Sequence, residues 1–277
     1  MRWIVFLLSI ANLGAWAEDA YQSPYSVAFT FSESDLMGDF AGGGLRGDFK
    51  QESSIAFPAW YVSSTQKHYT SWGPPARHFT PPAGLSQKSA DWMRQRIIAV
   101  ALRYRGIHYQ HHHIPDWDPP ADWPYKSSPL GHQSKGVDCC NFTAFVYNIG
   151  LGLKPTGETR DQSALTEVAG PGPGRSSKVT RIEKPETHAD FVSTLKTGDL
   201  LFVKGQSSGE VTHVVIWVGQ IGRSKGQVPL VIDSTGEGRK DENGAPIPDG
   251  VQLRPFLPDS WYCRSASHVL RLIPDGP

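Results

Sequence analysis

The apolar pattern of this chain changes period once, near Asp199, and that change limits its architecture more than any other feature. Before it, apolar residues recur at helical spacing. In "SADWMRQRIIAVALRYRG", Met93, Ile97, Val100, Ala101 and Tyr104 form one face, which predicts a helix from about Ser89 to Arg105 with Gly106 as its stop. In "DCCNFTAFVYNIG", Phe142, Phe145, Val146 and Ile149 form another, with Asp138 suited to the N-cap and Gly150 and Gly152 ending the helix. After Asp199 the period is two. The segments "DLLFVKG", "VTHVVIWVG", "VPLVIDST", "GVQLRPF" and "SHVLRLI" read as strands. Helices first and strands later predict an α+β domain with a mainly antiparallel sheet.

The regions ahead of this domain have a different character. Residues 1–17 carry Arg2, an apolar run from Trp3 that resumes through Leu13, and the A-x-A pattern Ala15-Trp16-Ala17. This reads as a secretory signal peptide cut after Ala17, and its apolar run is shorter than the ~20 residues a membrane span needs. No later segment has the length and apolarity of a span. Residues 18–88 are rich in aromatics, Gly and Pro, as in "AGGGLRGDF" and "WGPPARHFTPPAG". They read as an irregular N-terminal extension, either packed on the domain at 89–277 or loosely ordered. Residues 107–136, dense in Pro, His and Trp, read as loop.

Charge narrows the partners. Lys and Arg total 27 and Asp and Glu total 27, so there is no basic excess of the kind a general nucleic-acid binder or a polybasic membrane-surface protein shows. Only three cysteines are present, which excludes a disulfide scaffold and leaves at least one unpaired within the chain.

Two of those cysteines, Cys139 and Cys140, stand together at a helix start. A thiol attacks as thiolate, and the free N–H groups and dipole of a helix N-terminus favour that charge. Cys139, one residue after the N-cap, is the better placed. His213 sits mid-strand in "VTHVVIWVG", on the same strand face as Val215 and Trp217. Asp233, on the next predicted strand, is placed to bond the second imidazole nitrogen. Thiolate, imidazole and an orienting acceptor make the general arrangement for nucleophilic catalysis. Taken singly, each has an ordinary alternative: a core cysteine, a satisfied strand histidine, a turn aspartate.

The order of these motifs resembles the NlpC family of papain-like bacterial cell-wall endopeptidases. The matching stretches are "DCCNFTAFVYNIG", "TGDLLFV", "THVVIWVG" and "VIDST", with "AVALRYRGIHY" upstream and "GVQLRPF" and "HVLRLI" downstream. The resemblance covers about Ser89 to Ile273. It implies a papain-like cysteine peptidase domain, with Cys139 as nucleophile, His213 as base, Asp233 as orienting residue, and Tyr109 near the nucleophile. Asp138, Cys140 and Thr212 are the supporting or substrate-binding candidates. It implies cleavage of amide bonds in peptidoglycan stem peptides, outside the cytoplasm, with no cofactor. Three motif positions differ from the family's usual residues: Cys140 and Asn141 stand for Ser and Gly, and the third residue, Asp233 here, is more often His.

Other readings stay open at this level. A papain-like amidase on another peptide or acyl chain would share the fold. A secreted metal-binding protein would use the imidazoles of His108, His111, His112 and His113 with Asp116. Cys140 either packs or pairs with Cys263.

Overall fold

The computed structural model describes residues 21–41, 62–64, 67, 78–109, 137–170, 174–236 and 238–275. The signal-peptide assignment and His111, His112, His113 and Asp116 lie outside these residues. In chain order the helices and strands begin with β1 (Ser26–Val27), α1 (Glu33–Ala41), α2 (Ala90–Arg103), α3 (Cys139–Leu151) and α4 (Thr159–Ser163). They continue with β2 (Glu167–Ala169), β3 (Ser176–Lys178), β4 (Thr180–Glu183), α5 (His188–Thr194), β5 (Leu200–Lys204) and β6 (Val211–Trp217). Then come β7 (Gly222–Arg223), β8 (Leu230–Thr235), β9 (Arg239–Lys240), β10 (Pro246–Ile247), β11 (Gly250–Pro255), α6 (Trp261–Arg264) and β12 (Ala266–Arg271).

The α3 cap is the residue expected from sequence, and α2 is capped by Ser89, where the spacing predicts its helix to begin. Ser89 Oγ accepts from the Trp92 amide at 3.1 Å, and Asp138 Oδ1 accepts from the Asn141 amide at 2.9 Å. Each satisfies an amide that the helix itself leaves open. Gly152 ends α3 with φ of 68°, a left-handed conformation that suits glycine.

The main sheet runs β11-β8-β6-β5-β12-β4, and every pairing in it is antiparallel. Alternation sorts its side chains into two cores. Leu200, Phe202, Val214, Ile216, Leu230, Ile232, Val251 and Leu253 face α2 and α3. Leu201, Val203, Val215, Trp217, Val231 and Val269 face α5 and α6, against Phe191, Phe256 and Tyr262. The fold is therefore α+β, with helices packed on a mainly antiparallel sheet. Among the described residues, no helix is long and apolar enough to cross a membrane.

The sheet is not continuous from end to end. Strands β6 and β8 pair only through Ile216↔Ile232 and Trp217↔Val231. Before Ile216 on β6 and beyond Ile232 on β8 the two strands no longer pair. The start of α3 lies against that opening: Ser234 Oγ donates to the Val137 carbonyl at 2.5 Å, and Val137 forms a bridge with Tyr109.

The extension has more regular structure than its composition suggests. The strand β1 pairs with β7, and α1 packs on α2. Arg96 of α2 explains the second contact: it donates to the Leu36 carbonyl and forms a two-pronged pair with Asp39 at 2.6 and 2.7 Å. Tyr25, Leu36 and Phe79 are buried in the core. Phe79 N donates to Asn148 Oδ1 at 3.0 Å, and His78 Nε2 bonds the Gly152 carbonyl at 2.7 Å. These contacts lie at the far end of α3 from Cys139.

Candidate active site

Cys139 opens α3 with its sulfur buried at the break in the sheet. His213 lies on the opposite face of β6, beside Val215 and Trp217, as alternation requires. Across an intact sheet the two side chains would be separated by backbone. Because β6 and β8 have parted at this level, thiol and imidazole interact through the opening, and the Val214 amide also points at the sulfur. Thr159 Oγ1 from α4 stands 3.9 Å from Cys139 Sγ.

His213 Nε2 lies 2.6 Å from Asp233 Oδ2. That nitrogen is committed, so Nδ1 is the one left for the thiol. Asp233 is fully buried and saturated with donors: Arg254 Nε reaches Oδ1 at 2.8 Å, and the Tyr262 hydroxyl donates to Oδ2 at 2.9 Å. Arg254, also fully buried, donates from one terminal nitrogen to the Pro248 and Gly250 carbonyls, both at 3.0 Å, while its other terminal nitrogen is buried without a hydrogen-bond partner. Gly250 is required there: its φ is 77°, and a Cβ would strike the Ile107 backbone. The close approach lets Val251 N bond the Ile107 carbonyl at 2.8 Å, which anchors the turn that delivers Tyr109.

The electrostatics follow from this burial. Burial would push the His213 pKa down, but the Cys139 charge and the Asp233 hydrogen bond outweigh it and raise it to about 9. The Cys139 thiol is held well below its ordinary range by a hydrogen bond from Cys140, by the imidazolium of His213 and by the Val214 amide, all acting against burial. Cys140 has one proton, and its sulfur also lies 3.3 Å from Asp138 Oδ1. It serves one partner at a time, so the lasting stabilisation of the thiolate comes from His213, the Val214 amide and the helix terminus. Burial drives Asp233 up, yet Arg254, His213 and Tyr262 together bring it below the usual carboxylate value. Both shifts favour a thiolate–imidazolium pair held by a carboxylate.

The remaining sequence candidates divide. Asp138 is the cap, and burial followed by the Cys139 charge raises its pKa to about 6. Cys140 packs between Asp138 and Thr159; its thiol pKa is pushed up by the hydrogen bond to Cys139 and by burial. Tyr109 is close enough that burial, then the charge of Cys139, raises its hydroxyl pKa. Its amide donates to Asp249 Oδ2 at 3.1 Å. Thr212 is not drawn in. It is exposed at a bulge between β5 and β6, against Gly205, where a Cβ would lie 3.0 Å from Thr212 Cγ2.

The Cys140–Cys263 pairing is overturned. All three cysteines are free, and Cys140 belongs to the core on the α3 face while Cys263 belongs to the core on the other. The sheet lies between them. For the metal reading, His108 Nδ1 lies 3.0 Å from Asp249 Oδ1, and no metal-binding group of His, Cys, Asp or Glu is found among the described residues.

Sequence reasoning missed Arg254, Tyr262, Trp261 and Thr159. Arg254 carried a signal, a charge in a strand whose only other polar side chain is Gln252. Trp261, whose ring centre lies 5.2 Å from that of His213, comes from a four-residue helix with no comparable signal.

Residues 123–230 match the family model described as NlpC/P60 family. No curated protein matches the chain. A crystal structure of an NlpC/P60 family protein from Bacillus cereus ATCC 10987 is 20% identical, with 51% of this chain and 33% of that chain covered and a TM-score of 0.31. This chain thus spans about a third of that protein. The crystal structure of the NlpC/p60 domain of the peptidoglycan hydrolase SagA is 23% identical, with 64% and 97% covered and a TM-score of 0.34. The family match ends ahead of Asp233 but encloses the cysteine and the histidine: residues 123–230 are similar to the NlpC/P60 family.

Proposed function

We propose that this protein is a secreted or periplasmic cysteine peptidase that hydrolyses amide bonds in peptidoglycan stem peptides. The observation that carries the reading is the Cys139 thiol, held low in pKa beside an imidazole whose other nitrogen is fixed by Asp233. In this reading the Cys139 thiolate attacks the scissile carbonyl carbon and a tetrahedral oxyanion forms. The imidazolium of His213 gives its proton to the departing amine as the C–N bond breaks, leaving a thioester on Cys139. A water molecule, deprotonated by the now neutral imidazole, then attacks the thioester carbon and releases the acid and the thiolate. Asp233 keeps the ring oriented and stabilises its positive form. The NlpC/P60 match and the leader-like residues 1–17 support a wall substrate and an extracytoplasmic location.

The test is digestion of purified peptidoglycan by the wild type and by Cys139→Ala, with products identified by mass spectrometry. Fragments cut within the stem peptide, present with the wild type and missing with the variant, are expected. An unaltered polymer, with turnover of some other peptide or acyl substrate, would replace the wall reading with that of a different amidase.

A further inference from the structure

Arg239 is a charged residue beside the site with no assigned role in it. It lies on β9, in the hairpin that follows the strand bearing Asp233. Its guanidinium carbon sits 4.5 Å from the ring centre of Trp261 and 5.7 Å from that of Tyr262. Those two rings flank the imidazole of His213, at 5.2 and 6.1 Å between centres. The guanidinium is therefore one ring removed from the general acid. Its Nε is buried and has no hydrogen-bond partner, and it forms no ion pair with a carboxylate among the described residues.

The hairpin that carries Arg239 is held firmly. Asp241 Oδ1 accepts from the amides of Asn243 and Ala245, both at 2.8 Å. Ile247 is buried in the core, and Glu242 accepts from the hydroxyl of Tyr25 in the extension. Stacking on Trp261 restrains the guanidinium, so little freedom is left to lose when it takes a ligand.

The chemistry of the reaction says which part of a substrate lies nearby. The imidazolium delivers its proton to the leaving nitrogen, so the amine-side residue sits against His213. The α-carboxylate of that residue is two bonds from the nitrogen. We propose that Arg239 binds the free α-carboxylate of the residue on the amine side of the scissile amide, which makes the enzyme selective for a terminal residue there. This rests on the hydrolase reading above. A planar guanidinium matches a carboxylate, and no carboxylate of the described protein pairs with this one.

Two synthetic tripeptides test this: L-alanyl-γ-D-glutamyl-L-lysine as the free acid and as the C-terminal carboxamide. With the wild type, kcat/KM is expected to be about 10- to 100-fold higher on the acid, the range of a charge-assisted hydrogen bond, and mainly through KM. Arg239→Ala should bring the acid down to the level of the amide, and Arg239→Lys should keep part of the preference. Equal cleavage of both peptides by the wild type overturns the proposal while leaving the hydrolase reading intact. So does an equal loss on both in Arg239→Ala, which would make Arg239 a prop for Trp261 and Tyr262. Cleavage of neither peptide or the wall polymer by the wild type sinks the hydrolase reading and this proposal together.

Discussion

His213 Nε2 meets Asp233 Oδ2 at 2.6 Å across a gap where β6 and β8 have ceased to pair. In an evenly paired sheet the two would be diagonal neighbours, roughly 7–8 Å apart at Cα. The parting of the strands both requires this side-chain bridge and admits the sulfur of Cys139 beside it. Removing the imidazole with His213→Ala should lower kcat/KM by at least about a thousandfold, in line with the loss of a general acid–base. Steady-state kinetics on a cleaved stem peptide measures it, and a loss of less than about tenfold would remove His213 from the chemistry.

Asp233→Asn should cost stability as well as rate. The amide oxygen still accepts a hydrogen bond, but the buried guanidinium of Arg254 loses its counter-charge. Breaking a buried pair from one side costs about 3–5 kcal/mol. Urea unfolding at pH 7 should show a loss of at least about 2 kcal/mol. An unaltered midpoint would mean that the Arg254 charge is satisfied elsewhere.

The thiolate–imidazolium pair sets a pH window. The thiolate forms at a pH well below the ordinary thiol value, and the imidazolium persists until about pH 9. Activity should therefore be present through neutrality and fall about tenfold per unit above pH 9 as the imidazolium loses its proton. The same raised pKa contributes stability that is complete below the ordinary histidine value of about 6.5 and disappears as pH rises through about 9. A kcat/KM profile with its basic limb near pH 6.5 would contradict the ion pair.

Cys139 should be the nucleophile and Cys140 its neighbour only. Cys139→Ala should abolish turnover with little change in melting temperature, and Cys140→Ser should remain active. Titration of unfolded, unreduced protein should find three thiols, since the sheet keeps Cys140 and Cys263 apart. A count of one would restore the pairing that the structure overturns.

The extension should act as a brace. Leu36 is fully buried against α2, and a buried Leu→Ala change costs about 2–5 kcal/mol. Leu36→Ala should lower the unfolding free energy by an amount in that range while leaving the cleavage products unchanged. A changed product pattern with unaltered stability would instead put the extension in the substrate path.

The sequence by itself determined the two long helices with the Asp138 cap, the strands after Asp199, and Cys139, His213 and Asp233 as the candidates for the site. These are local facts. Capping, apolar period and the pKa effect of a helix start all act within one or two turns of chain. The tertiary structure decided what those signals could not carry. Strand alternation placed His213 on the far face from α3, and only the opening between β6 and β8 reconciles that face with contact to Cys139. Arg254, Tyr262 and Trp261 reach the site from segments distant in the chain, so no spacing reports them. Thr212 stands beside His213 in sequence, yet a bulge turns it to solvent. The fate of Cys140 was likewise a question of which side of the sheet it occupies, and that is fixed by long-range packing.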